Sequence, residues 1–183
     1  MSLMVGIDAS YSGFGLVALQ PVSGMADIIT LQFDPKKFGG GIDRLIAIEQ
    51  ALAVHLTAWN EADPIEHVCL EGYAMASKFG REKAGELGAI VKRTLHEVLV
   101  DPVCYPTIVA PYSLKKFITG KASASKNVII KDVLRKWGRD LDDDNAADAY
   151  GLAQIAKALT YGTELAYEQT VLDNLVRHTE RRE

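Results

Sequence analysis

Cysteine is scarce in this 183-residue chain: Cys69 and Cys104 are the only two, and no CxxC pair occurs. That excludes a disulfide-stapled scaffold and gives no support to a thiolate zinc site. Both cysteines sit in short apolar runs that read as buried strands, the pattern of reduced core thiols. The four histidines, His55, His67, His96 and His178, show no metal-ligand spacing and read as surface or incidental. Long apolar runs are missing too, and none reaches the roughly 18 residues of a membrane span. The N-terminus lacks the basic-then-apolar pattern of a secretion signal, so a cytoplasmic protein with no membrane partner is expected. A net positive charge is also absent. At −4, the chain is no generic nucleic-acid coat protein.

What is present is an ordinary globular composition, 48% apolar and 24% charged, long enough to bury its own core. One domain over 1–183 is expected, with a core at about 4–160 and a helical tail at about 161–183. Met1-Ser2-Leu3 is given no role in the fold. Charge is unevenly spread. Between Tyr112 and Arg139 stand Lys115, Lys116, Lys121, Lys126, Lys131, Arg135, Lys136 and Arg139 against the single acid Asp132. Asp140, Asp142, Asp143 and Asp144 follow at once. A basic stripe beside an acidic cluster suits a surface that grips phosphates and holds cations near them; it equally suits a solvated helix face with an acidic cap.

Apolar patterning predicts a strand over Met4–Asp8, a glycine turn over Ser10–Gly15, and strands over Phe14–Leu19 and Asp27–Phe33, forming an antiparallel meander. Pro35–Gly41 reads as a loop. Helical periodicity covers Ile42–Ala62, and Pro64 ends it. A strand over His67–Glu71, a helix over Glu82–Val98 and a strand over Cys104–Val109 come next. Pro111 opens a short helix, Thr119–Ser125 reads as a polar loop, and Lys126–Trp137 as a helix. Asp143 or Asp144 caps a helix running to about Leu159, and Glu164–Arg177 reads as the last helix. A meander followed by strand–helix alternation predicts an α/β fold: a mixed five-stranded sheet with helices on both faces.

Two of these strands end in acids, Asp8 and Glu71. A buried strand rarely ends in a lone carboxylate, because desolvating it is costly. The carboxyl edge of a sheet is also where α/β folds place ligands. Later, Asp144, Asn145 and Asp148 share one helical face, and Ala146, Ala147 and Ala149 would let that helix press on the sheet. Converging carboxylates repel one another, so they call for a hard cation. Oxygen-only ligation favours Mg2+ or Mn2+, two of which could activate water and stabilise a departing oxygen at phosphorus. Taken singly, Asp8 also reads as a turn former, Glu71 as a lysine partner and Asp144 as a helix cap.

These residues resemble the RuvC family of Holliday-junction resolvases, within the ribonuclease-H-like superfamily. Gly6-Ile7-Asp8-Ala9-Ser10 with Gly13-Phe14-Gly15 is similar to the family's opening strand and turn. Glu71, then Met75-Ala76-Ser77-Lys78 and Glu86-Leu87-Gly88, resembles its second acid, the segment after it and a Gly-containing helix. Pro111 to Lys116, Thr119-Gly120-Lys121 and Lys126 look like its Pro-containing strand end, Gly-Lys loop and lysine-bearing helix. Ala146-Ala147-Asp148-Ala149 matches its last motif. The resemblance runs in order from about Met4 to Leu159. The compact size is similar to phage-encoded members.

The resemblance implies a ribonuclease-H-like fold and a structure-selective DNA endonuclease, a crossover-junction resolvase. Asp8, Glu71 and Asp148 would hold two Mg2+ (or Mn2+) ions, with Asn145 or Asp144 as fourth ligand; the family usually has an acid or histidine where Asn145 stands. Lys121 and Lys126 would lie near the scissile phosphate. Ser10, Lys78, Arg81, Lys83, Lys92, Arg93, Lys115 and Lys116 would contact the DNA, and Tyr73 or Phe79 would stack at the junction. A four-way junction has twofold symmetry, so a homodimer is expected, with the Glu82–Val98 helix as the interface by family analogy. A flap- or fork-cutting nuclease of the same fold, and a non-catalytic nucleic-acid-binding module, are the alternatives. No small organic cofactor is expected: Lys115 and Ala122 stand where a P-loop around Gly120-Lys121 would need Gly and Ser or Thr.

Overall fold

A computed structural model describes residues 2–11, 13–72 and 81–180, without the side chains of 81 and 176–180. Strands β1 (Leu3–Ala9), β2 (Gly13–Leu19) and β3 (Ala26–Gln32) form the meander. Strands β4 (Ile65–Glu71) and β5 (Thr107–Val109) lie parallel to β1 on its other side. The sheet order is β3-β2-β1-β4-β5. Paired on both edges and covered on both faces, β1 is apolar up to its carboxyl end; Met4, Val5 and Ile7 are fully buried.

Two helical layers sandwich this sheet. Helices α2 (Ile42–Ala62) and α3 (Arg81–Val98) cover one face, where Ile48, Leu52 and Val91 pack on Val5, Ile7 and Leu16. Full burial of each such side chain contributes roughly 1.5–3 kcal/mol. The other face carries α4 (Pro111–Thr119), α5 (Lys126–Trp137), α6 (Asp144–Tyr161) and α7 (Ala166–Glu180), packed on Met4, Val17 and Cys69. Gly120 and Gly138, both with positive φ, end α4 and α5 in the left-handed conformation that glycine adopts freely.

Several expectations need correction. Leu3 is part of β1, and its amide bonds the Pro64 carbonyl at 2.9 Å. Pro35–Phe38 is a short helix, α1, because Asp34 caps it by accepting from Lys36 N at 2.9 Å. Pairing in β5 begins only at Thr107; Cys104 lies in the turn before it, buried but outside the sheet. Gly13 and Gly15 belong to β2 and not to a turn, for a reason that the site makes plain. His67 is not incidental. It sits half-buried between Thr107 Oγ1 (2.9 Å from Nε2) and Thr160 Oγ1 (3.4 Å from Nδ1), and burial lowers its pKa.

The basic stripe is also less uniform than its sequence suggests. Lys136 turns inward, donating to the Phe117 carbonyl at 2.9 Å and pairing with Glu168 of α7. Its ammonium lies over the rings of Phe117, Trp137 and Tyr167. Arg139 donates to the Gly24 carbonyl, and Arg135 pairs with Asp132. Lys116 is half-buried, and Lys121, Lys126 and Lys131 are exposed.

Candidate active site at the sheet edge

Alternation along β1 sends Met4, Gly6 and Asp8 toward α6, while Val5 and Ile7 face α2 and α3. In β4 the same alternation sends Cys69 and Glu71 toward α6. The parallel register pairs Ile7 with Leu70, so the next residue of each strand, Asp8 and Glu71, stands side by side at the carboxyl edge. Asp8 is 6% exposed and the Glu71 side chain is partly buried.

Asp148 reaches this edge because α6 lies unusually close to the sheet. A Cβ on Gly6 would stand 2.0 Å from the Ala149 carbonyl oxygen, and one on Gly15 would stand 2.2 Å from that of Asn145. Glycine in β1 and β2 and alanine in α6 together remove the side chains that would hold the two layers apart. Asp143 starts the helix, accepting from Ala146 N at 3.0 Å. That leaves Asp144 free of capping duty. Asn145 lies over β2, its amide nitrogen 2.6 Å from where a Gly13 Cβ would be.

The electrostatics follow from this crowding. Burial is the main cause that raises the Asp8 pKa, to about 8, helped by the Glu71 charge and by a hydrogen bond to Glu71. Asp148 rises to about 7, again through burial first and the Asp8 charge second. Glu71 is raised by burial and by Asp148, against the hydrogen bond from Asp8. Lys126 opposes the shift at all three acids, and Lys115 at Glu71 and Asp148. Lys126 Nζ also contacts Asp144 Oδ2. One oxygen, Asp148 Oδ1, is buried with no hydrogen-bond partner among the described residues.

These side chains thus share one region: Asp8, Glu71, Asp148, Asp144, Lys126 and Lys115. Lys121 is not among the cations that act on the acids. Lys115 is, and sequence reasoning placed it only along the DNA backbone; its position one turn into α4, directly after the β5 edge, was the available signal. The Ser10 hydroxyl bonds Gly13 and braces the β1–β2 connection. Lys83 and Lys92 are exposed on α3, whereas Arg93 is engaged by Glu49 and Glu97. Tyr73, Lys78 and Phe79 lie outside the described residues, as does the side chain of Arg81. The acids do not line the cavity of about 150 Å3 among Phe117, Trp137, Lys157 and Glu168, which lies elsewhere.

Whether such a region suits a cation can be asked of the residues themselves. Its donors are all oxygens, its carboxyls are strained toward protonation, and one buried oxygen is unsatisfied; each favours a hard divalent ion. Among the described residues no three His, Cys, Asp or Glu side chains are gathered tightly enough to grip one ion as they stand.

No family model matches the sequence, and no curated protein does. Solved structures do. Thermus thermophilus RuvC aligns with TM-score 0.63 and 19% identity, over 88% of this chain and 97% of that one. T. thermophilus RuvC in complex with Holliday junction substrate aligns with TM-score 0.65 and 18% identity, over 87% and 93%. At this identity the likeness establishes architecture alone: the chain has the ribonuclease-H-like fold in its RuvC-like form.

Proposed function

We propose that the chain is a metal-dependent, structure-selective DNA endonuclease that resolves four-way junctions. The observation that carries this reading is the meeting of Asp8, Glu71 and Asp148 at one sheet edge, with Asp148 Oδ1 buried and unpartnered among the described residues. The likeness to a RuvC structure bound to Holliday junction substrate supports the choice of DNA substrate.

Asp8, Glu71 and Asp148 would hold the divalent ions, two in this reading, with Asn145 and Asp144 the candidates for a further oxygen. Bound there, Mg2+ or Mn2+ would lower the pKa of water and polarise the phosphate. The chain's own part is electrostatic and positional. Crowded carboxylates repel a phosphodiester, so cations must hold it. Lys126 and Lys115, whose charges act on the acids, would take the phosphate oxygens and stabilise charge that develops on them. Exposed Lys121 and Lys131 would follow the flanking backbone, making binding salt-sensitive. No side chain need attack phosphorus. The resemblance implies hydrolysis to a 3′-hydroxyl and a 5′-phosphate, and a homodimer that nicks twice.

The test is cleavage of a labelled four-way junction in Mg2+, beside a flap and a matched linear duplex. The wild-type protein should nick the junction, and Asp8→Asn and Glu71→Gln should bind it without cutting. Preferred cutting of the flap would move the assignment to a flap or fork nuclease. Junction binding with no cutting of any substrate would favour the non-catalytic module.

A further inference from the structure

The sequence places Lys126 where a cation is least welcome. It is the first residue of α5, at the helix end that carries partial positive charge. No acid shares that first turn, and the N-cap Ser125 makes no side-chain capping bond. The ammonium reaches instead to the Asp144 carboxylate, in the first turn of α6. Asp143 already caps that helix, so Asp144 is spare. The Lys126 side chain is 73% exposed, and an ion pair this open adds little to stability. Its location is more telling. The same ammonium acts on Asp8, Glu71 and Asp148, lowering the pKa of each. A flexible cation beside three crowded carboxyls is a built-in rival for any ion that enters among them.

We propose that Asp144 is a positioning residue: it tethers Lys126 at the rim of the Asp8–Glu71–Asp148 pocket and keeps the ammonium from filling the pocket in place of divalent cations. This rests on the reading above that the pocket takes such cations. It assigns Asp144 a role through Lys126 and leaves Asn145 as the candidate further ligand. Tethered at the rim, Lys126 also stays available to a phosphate.

A double-mutant cycle on Mn2+ affinity tests this, by titration calorimetry on the full chain without DNA. Asp144→Asn is expected to weaken Mn2+ binding about tenfold, as loss of an outer-shell partner does. Lys126→Gln alone should change affinity by about threefold or less. Added to Asp144→Asn, it should recover most of the lost affinity, and Asp144→Glu should retain it. Circular dichroism confirms that each variant is folded. If Asp144 were a ligand, Lys126 would compete for it. Lys126→Gln would then tighten binding in the wild-type background and do little in Asp144→Asn, which overturns the proposal. Equal effects in both backgrounds overturn it too. Failure of the wild-type protein to take up Mn2+ sinks both this inference and the metal-dependent reading. The expected pattern in a protein that leaves junctions intact upholds the tether and sinks only the nuclease.

Discussion

The Asp8 and Glu71 carboxyls stand side by side at the ends of two neighbouring parallel strands, and burial with the Glu71 charge raises the Asp8 pKa to about 8. Burial raises the Glu71 pKa as well. Buried acids raised in this way have measurable consequences.

The first is the pH dependence of stability. Asp8 moves from 3.8 unfolded to about 8 folded, and Asp148 to about 7. The folded state binds the extra protons, so these groups stabilise it fully below pH 3.8 and lose that effect as pH rises toward 8. In EDTA, urea denaturation should show stability falling between pH 5 and pH 8 once other titrations are subtracted. Asp8→Asn should flatten the slope and stabilise the protein at pH 8 by on the order of 2 kcal/mol. A variant less stable than wild type at pH 8 would count against the assignment.

The second concerns cation binding. At pH 7 the Asp8 proton must leave before its carboxylate can ligate. Mn2+ binding should therefore release about one proton at pH 7 and bind more weakly at pH 6. Calorimetry in buffers of different ionisation enthalpy reads this directly. Proton uptake, or no net exchange, would contradict it.

The third concerns how α6 is seated. Gly6→Ala would push a methyl into the Ala149 carbonyl and the Ala153 amide, 2.0 and 2.5 Å away, and neither backbone group can move aside. A loss of about 3 kcal/mol or more is expected, because overpacking against backbone is not relieved by rotamers. Gly85, with nothing within 4 Å among the described residues, should accept alanine without loss. Chemical denaturation of both variants checks the contrast.

A fourth concerns α7. Lys136→Met leaves Glu168, 6% exposed, without its cation, and should cost about 3 kcal/mol. Pairing it with Glu168→Gln should return part of that. If the single variant is as stable as wild type, Lys136 does not anchor α7.

Much of this fold was legible from the sequence, because local pattern and tertiary role agree. Ile42–Ala62, which periodicity and Pro64 bound, and Lys126–Trp137 have the expected ends. The acids at Asp8 and Glu71 stood out because each ends an apolar run. What was hidden depends on partners distant in the chain. Gly13 and Gly15 look like turn formers, yet they sit in β2 because Asn145 passes over them. Lys136 and Arg139 look like surface charge, yet their direction is set by Glu168 and Gly24. Lys115 was visible as a base but not as a neighbour of Asp148, which requires knowing that β5 delivers α4 to the same edge.

The central claim is that Asp8, Glu71 and Asp148 form one cation pocket. Anomalous diffraction from crystals soaked in Mn2+ near pH 8 tests it most directly. A peak within ligation distance of all three carboxyls is the expected result. Mn2+ bound elsewhere, with the Asp8–Glu71 hydrogen bond intact, would contradict it.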